Sequence, residues 1–490
     1  MLFNSIEFII LFITVCSIFI IIKNRKFQHL FLLLVSYFFF YYTSNYLVSL
    51  LVFSTLLDFY IGKMIGNSSN LRNKKIFLGI SLAGNLGILG FFKYADFGIS
   101  QINHVSTSLG FPVEISFLEL ALPIGISFYT FQTISYTVDI YRGQLTPSKS
   151  LREFAVFVSF FPQLVAGPIL RAKDFLPQLR EKTEKIKDVG IIRLINIQDS
   201  NVKLGVTLMA FGFFKKMFIA DNVSFFVDSV FTNPIGLESF TIILGTIAFG
   251  IQIYADFSGY SDIAIGAAMI LGFKIPRNFN KPYFAISPSD FWRRWHISLS
   301  SWLRDYLYIP LGGNKKSPNR TYLNLFIVMF LGGLWHGASW NFVIWGMMHG
   351  LYLAIHKIIT NKIPFLKNHP FFRTKIGILI SIFVTQYFVF MAWIPFRVRD
   401  TNEMVYSLQK YIFLDFQINE TIQLILSEKI PIALMILFVI LHFISYKHGN
   451  LPTKISNYPL KYWALFLIAI ILPILFFYGG NSEDFIYFQF

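Results

Sequence analysis

Stretches of about 20 consecutive apolar residues, the length that crosses a bilayer core about 30 Å thick, recur along this chain from one end to the other. With 55% hydrophobic and 14% charged residues over 490 positions, no room remains for a large soluble domain. Length alone would suggest two or three soluble domains, and the hydropathy overrides it. The first apolar run, Ile6 to Ile22, has no basic residue ahead of it and no small-residue cleavage site behind it. It is therefore expected to be a retained span, not a signal peptide. The expected architecture is all-α and polytopic, a single membrane domain over residues 1–490. About twelve transmembrane helices and some re-entrant or interfacial helices would surround a central channel. Residues 479–490 would form an external C-terminal tail.

Charge sets the expected topology. The formal net charge is +16, and the basic residues lie between apolar spans, as cytoplasmic loops require. Nucleic acid is not expected as a partner; membrane lipid is. Lys23, Arg25 and Lys26 follow the first run and place the N-terminus outside. Two spans between His29 and Ile65 return to Arg72, Lys74 and Lys75. The next ends near Phe92, leaving an external loop to Glu114, and a span over 118–138 returns to Arg142. Phe154 to Ile169 carries Pro162, Gly167 and Pro168 between basic flanks, which predicts a re-entrant or interfacial segment. Spans near 204–220 and 242–271 follow, joined by an acidic loop, with Lys215 and Lys216 awkwardly inside the first. Residues 323–355 are too long for one span and predict two, turning near 337–341. Three more spans place the C-terminus outside as well.

The candidates for chemistry are few. One cysteine, Cys16, excludes disulfides and thiolate metal sites, and no metal is expected. Of nine histidines, His336 stands out in Gly332-Gly333-Leu334-Trp335-His336-Gly337, inside an apolar segment. An ionisable group there is costly and is a functional candidate, and the flanking glycines suit a tightly packed site. His349 lies 13 residues on, about 20 Å along one continuous helix; it and His356 are expected to be structural.

Ser287-Pro288-Ser289-Asp290 has the form of a helix start with Pro at the first turn. On that helix Trp292, Trp295, Leu299, Trp302 and Tyr306 form an apolar stripe. Arg293, His296, Ser300 and Arg304 fall within about 80° of one another at 100° per residue. Such a basic face suits a phosphate-bearing ligand and equally suits lipid headgroups. Asp139, Asp256 and Asp262 fall in spans; they fit either ion transport or local pairing. Ser258, Gly259 and Ser261 beside the last two suggest a polar break in the helix. The chain ends Phe485-Ile486-Tyr487-Phe488-Gln489-Phe490. Such a tail rests on the membrane interface or folds back; from Asn481 an extended chain brings Tyr487 about 20 Å inward.

Taken together, Phe291-Trp292-Arg293-Arg294-Trp295-His296, Arg304-Asp305-Tyr306-Leu307-Tyr308-Ile309-Pro310-Leu311-Gly312-Gly313-Asn314 and Gly333-Leu334-Trp335-His336-Gly337 resemble the membrane-bound O-acyltransferase family. Gly259-Tyr260-Ser261-Asp262 and Gly167-Pro168 resemble it too. The likeness is to the branch containing the alginate O-acetyltransferase membrane subunit and the teichoic-acid D-alanylation membrane protein. It implies catalysis by His336, with His296 as the second polar residue of the site. It implies acetyl-CoA as donor, its phosphates near Arg293, Arg294, Arg304 and Lys315. It also implies Tyr487 as an acyl carrier that hands its group to an extracytoplasmic partner acetyltransferase acting on a polysaccharide such as alginate. The membrane expected is a bacterial-type cell membrane. The rival readings are acyl transfer directly to a lipid-type acceptor, and a polysaccharide or lipid transporter.

Overall fold

The computed structural model describes residues 1–22, 24–111, 114–164, 167–184, 199–363, 365, 369–477 and 485–486. These residues are mostly helical and contain no strand. Seven apolar runs are long and apolar enough to cross a membrane. One of them, Lys26–Asn67, folds as two helices. The chain is an all-α multi-pass membrane protein. Two compact units are present: residues 1–205 with 264–276, and residues 206–263 with 277–490.

The first unit holds α1 (Ile6–Ile21), α2 (Arg25–Ser44), α3 (Val48–Asn67), α4 (Leu71–Ser108), α5 (Ile126–Tyr141), α6 (Leu151–Ser159), α7 (Phe161–Leu164) and α8 (Ala172–Glu184). The α4 helix continues 16 residues beyond Phe92, so the external loop expected from there is largely helix. Leu71–Ser108 has only Lys93 as a charged residue between Lys75 and Asp96, and nothing in that stretch stops a helix. Among the described residues of 154–169 lie most of the nine-residue α6 and the four-residue α7, each too short to cross a bilayer. From Glu153 to Leu164 their side chains are buried, and Phe154, Phe157, Phe160, Phe175 and Phe273 pack ring on ring. At the centre of α3, α4 and α5 lies Asp58, fully buried. It accepts hydrogen bonds from Ser81 Oγ (2.6 Å) and Asn85 Nδ2 (2.8 Å).

The second unit begins within α9 (Asp199–Phe213), which runs through a π-helical turn, Phe214–Ala220, into α10 (Asp221–Phe231). The acidic loop expected after 220 is therefore helix as far as Phe231. Its next helix, α11 (Ser239–Ile270), is continuous through 256–262, so the polar break expected there does not occur. The reason is pairing: Lys215 donates to Asp262 (2.5 Å) and Ser258 (3.0 Å), and Lys216 pairs with Asp221 (2.8 Å) and Asp256 (3.2 Å). What brings these lysines to α11 is close backbone approach. A Cβ on Gly212 would lie 2.6 Å from Gly259 O, and one on Gly259 2.8 Å from Gly212 O. Only glycine at both positions allows that crossing.

Further along the second unit come α12 (Pro288–Arg294), α13 (Ile297–Leu303), α14 (Pro318–His336), α15 (Trp340–Lys362) and α16 (Lys375–Arg397). Helices Lys429–His448 and Leu460–Phe477 close it. The turn expected near 337–341 lies at 337–339, and Ser339 Oγ caps α15 by accepting from Asn341 N–H (3.2 Å). Here too glycine sets the packing: a Cβ on Gly333 would lie 2.3 Å from Phe342 O, and one on Gly346 2.5 Å from Met329 O.

Candidate active site

His336 is the last residue of α14, with 8% of its surface exposed. Its ring is caged by Trp335 (4.9 Å between centroids), Trp345 (4.8 Å) and Phe396 (5.2 Å), each near edge-on. Trp335 comes from its own helix, Trp345 from α15 and Phe396 from α16. The cage thus depends on the Gly333–Gly346 crossing that holds α14 against α15.

His296 is placed by a different device. The helix start at Ser287 is as the sequence predicts: Ser287 Oγ accepts from Asp290 N–H (3.1 Å), with Pro288 in the first turn. That helix does not continue. It ends at Arg294, and His296 adopts a left-handed backbone (φ 42°) before α13 starts. For a non-glycine residue this conformation is uncommon and persists where its surroundings enforce it. Here Asn278 enforces it. Its carbonyl accepts from Ile297 N–H (2.9 Å), while its Oδ1 accepts from Ser298 N–H (3.3 Å) and Ser298 Oγ (2.9 Å). The wheel drawn for one continuous helix is accordingly overturned, and Arg293, His296, Ser300 and Arg304 share no single face. His296 is 1% exposed, whereas Arg293 and Arg304 are exposed. Burial pushes the His296 imidazole down to about 3, so it is neutral at ordinary pH. A neutral imidazole can orient a polar group without trading its charge.

The two histidines flank one indole: the His296 and Trp335 centroids are 6.4 Å apart, Trp335 and His336 4.9 Å. On its other side His296 meets the edge of Phe257 at 4.7 Å. His349, expected to be structural, is also drawn in by the turn at 337–339. Trp345 lies 4.8 Å from His336 and 4.9 Å from His349, so a single ring separates the two histidines. His349 Nε2, Trp292 Nε1 and Trp345 Nε1 are buried and have no hydrogen-bond partner among the described residues.

The expected phosphate-binding cations divide into two kinds. Arg294 is tied to Asp290 (3.0 Å) and Arg304 to Asp305 (2.7 Å). Arg293 and Lys315 are exposed. Tyr487 lies outside the described residues, but the two residues before it do not. Phe485 and Ile486 are 0% and 2% exposed. Phe485 packs on Tyr260 (4.4 Å) and Phe257 (5.5 Å). Of the two fates considered for the tail, these two residues take the inward one. Asn278 and Trp345 were not singled out from sequence: Asn278 acts on the His296 turn from far along the chain, and Trp345 meets His336 only because the chain turns at 337–339.

Residues 146–394 match the MBOAT, membrane-bound O-acyltransferase family. The chain is 39% identical over 404 residues to the protein named "Probable alginate O-acetylase AlgI" of Pseudomonas aeruginosa, covering 82% of this chain and 72% of that one. With its namesake in Pseudomonas putida it shares 35% identity over 515 residues, the whole of both chains. A peptidoglycan O-acetyltransferase of Helicobacter pylori is 34% identical over 444 residues, 85% of this chain and 80% of its own. Full-length similarity at this level, together with a helical fold holding several helices long and apolar enough to cross a membrane, places the chain in the membrane-bound O-acyltransferase family, as a multi-pass membrane O-acyltransferase.

Proposed function

We propose that the protein moves an acetyl group from cytoplasmic acetyl-CoA across a bacterial cell membrane, for O-acetylation of an extracytoplasmic polysaccharide. Tyr487 is the carrier and His336 the general base. The observation that carries this reading is the inward course of Phe485 and Ile486: both are buried, and Phe485 packs on Phe257, the ring that meets His296. Alginate O-acetylases and a peptidoglycan O-acetyltransferase among the relatives support a polysaccharide acceptor.

A protonated tyrosine hydroxyl, pKa about 10, is a poor nucleophile. His336 takes its proton as the phenolic oxygen adds to the thioester carbonyl carbon, a role typically worth roughly 10²–10⁴-fold. His296, neutral in its buried setting, orients the thioester. The carbon–sulfur bond then breaks, and the thiolate recovers the proton from His336 and leaves as free CoA. An aryl ester remains on Tyr487. A partner acetyltransferase outside the membrane passes its acyl group to a sugar hydroxyl, which restores the phenol. Arg293 and Lys315, exposed and, among the described residues, not tied to a carboxylate as Arg294 and Arg304 are, would supply most of the attraction for the CoA phosphates. In this scheme both chain termini face outward.

Intact-mass analysis of the purified protein after exposure to acetyl-CoA tests the relay. Wild type should gain one acetyl group on the peptide holding Tyr487, and Tyr487→Phe should gain none and should not support polymer acetylation. A Tyr487→Phe variant with full polymer acetylation would sink the relay.

A further inference from the structure

Asp256 divides its carboxylate between two partners. Oδ1 faces Lys216 Nζ at 3.2 Å, and Oδ2 accepts the backbone N–H of Ile486 at 2.7 Å. Asp256, Lys216, Phe485 and Ile486 are all buried, with no more than 2% of any of them exposed. Beside this bond Phe485 lies on Tyr260, and Lys216 Nζ stands 5.8 Å from the centre of the same tyrosine ring. An apolar tail resting on greasy helices would need no such arrangement. A buried carboxylate oxygen aimed at one particular main-chain amide is instead a registering contact, because sliding the tail by one residue would leave that oxygen unsatisfied in a dry site.

We infer that Asp256, held in place by Lys216, is a clamp that seats the C-terminal tail in one register through the Ile486 amide. The inference rests on the carrier reading, since its catalytic consequence is to fix the anchor of the next residue, Tyr487, one Cα step of about 3.8 Å further along. Asp256 is a positioning residue: it touches the tail, not the reacting group. The clamp also gives Asp256, the buried carboxylate of α11, a role other than an ion path. Lys216 serves the pair from the π-helical turn of residues 214–220, and the Gly212–Gly259 crossing brings that turn to α11. The recognised chemistry is a main-chain amide flanked by apolar side chains. The same slot would therefore accept a separate peptide of that kind only if this chain's own tail left it.

The test uses the full-length protein in lipid nanodiscs, with two variants. Ile486→Pro removes the amide hydrogen and leaves the Lys216–Asp256 pair untouched; Asp256→Ala removes the acceptor while Lys216 keeps Asp221. Hydrogen–deuterium exchange of the remaining C-terminal amides should quicken by about tenfold or more in both, as expected for loss of a charge-assisted bond. The melting temperature of Ile486→Pro should fall only slightly, since the freed tail lets water reach the Asp256 oxygen. Acetyl occupancy of Tyr487 should fall by a similar factor, and excess acetyl-CoA should not restore it. Wild-type exchange in Ile486→Pro would overturn the clamp, even if Asp256→Ala fails to fold. If the tail loosens as expected but wild-type Tyr487 never gains acetyl mass, the clamp stands and the carrier reading falls.

Discussion

Asp58 in the first unit and His336 in the second are both ionisable groups buried among membrane helices, yet their surroundings are opposite. Asp58 sits in a closed set of small polar side chains from three helices. Ser81 and Asn85 donate to its two oxygens, Ser54 (2.6 Å) and Thr133 (3.2 Å) donate to Asn85 Oδ1, and Thr137 lies 3.0 Å from Ser81. His336 is ringed by two indoles and a phenyl group. A satisfied polar network fixes helices to one another and leaves its acid nothing to react with. An aromatic cage instead keeps water out and holds an imidazole's orientation, which suits a base that must meet one incoming hydroxyl. The cost of burial alone therefore does not identify a catalytic residue; the character of its neighbours does.

The sharpest way to break this contrast is His336→Ala. If the cage serves chemistry, acyl transfer, followed as release of free thiol from the donor, should fall roughly 10²–10⁴-fold with the melting temperature little changed. Turnover at the wild-type rate would put His336 in the same structural class as Asp58.

How much of this was legible beforehand depended on the range of each interaction. The turn between α14 and α15, the Ser287 cap and the candidacy of His336 are local: each is written in fewer than ten consecutive residues. The left-handed break at His296 is not. Its cause is Asn278, 18 residues earlier, and a helical wheel assumes continuity that only a tertiary contact overrules. Lys216 looked misplaced in its span because its partner Asp256 lies 40 positions away. Asp58 escaped notice because small polar residues such as Ser81 and Asn85, unremarkable singly, become a network only when three helices pack. The inward tail was legible as one of two alternatives, and the Ile486–Asp256 bond, across 230 residues, decides it for the described part.

A second variant asks whether the cage needs its scaffold. Gly333→Val would drive side-chain carbon into Phe342 O, which a Cβ alone would approach to 2.3 Å. Because the obstacle is backbone, α14 and α15 must separate, at a cost of about 3 kcal/mol. His336 and Trp345 ride on those two helices, so activity per folded molecule should drop together with the melting temperature. A variant that melts early but turns over normally would show that the Trp345 contact is dispensable.

The smallest effect is expected at Asp58. Asn at this position presents one oxygen and one amide group where two acceptors are needed, so either Ser81 or the Asn85 amide faces a donor. The mismatch should cost about 1–2 kcal/mol, read as a lower melting temperature in detergent. The rate per folded molecule should match wild type, since the network orders α3, α4 and α5 and supplies no group to the reaction. Should Asp58→Asn instead keep its stability and lose transfer, the satisfied network would be part of the chemistry, and the contrast between the two buried acids and bases would have to be redrawn around proton movement through the first unit.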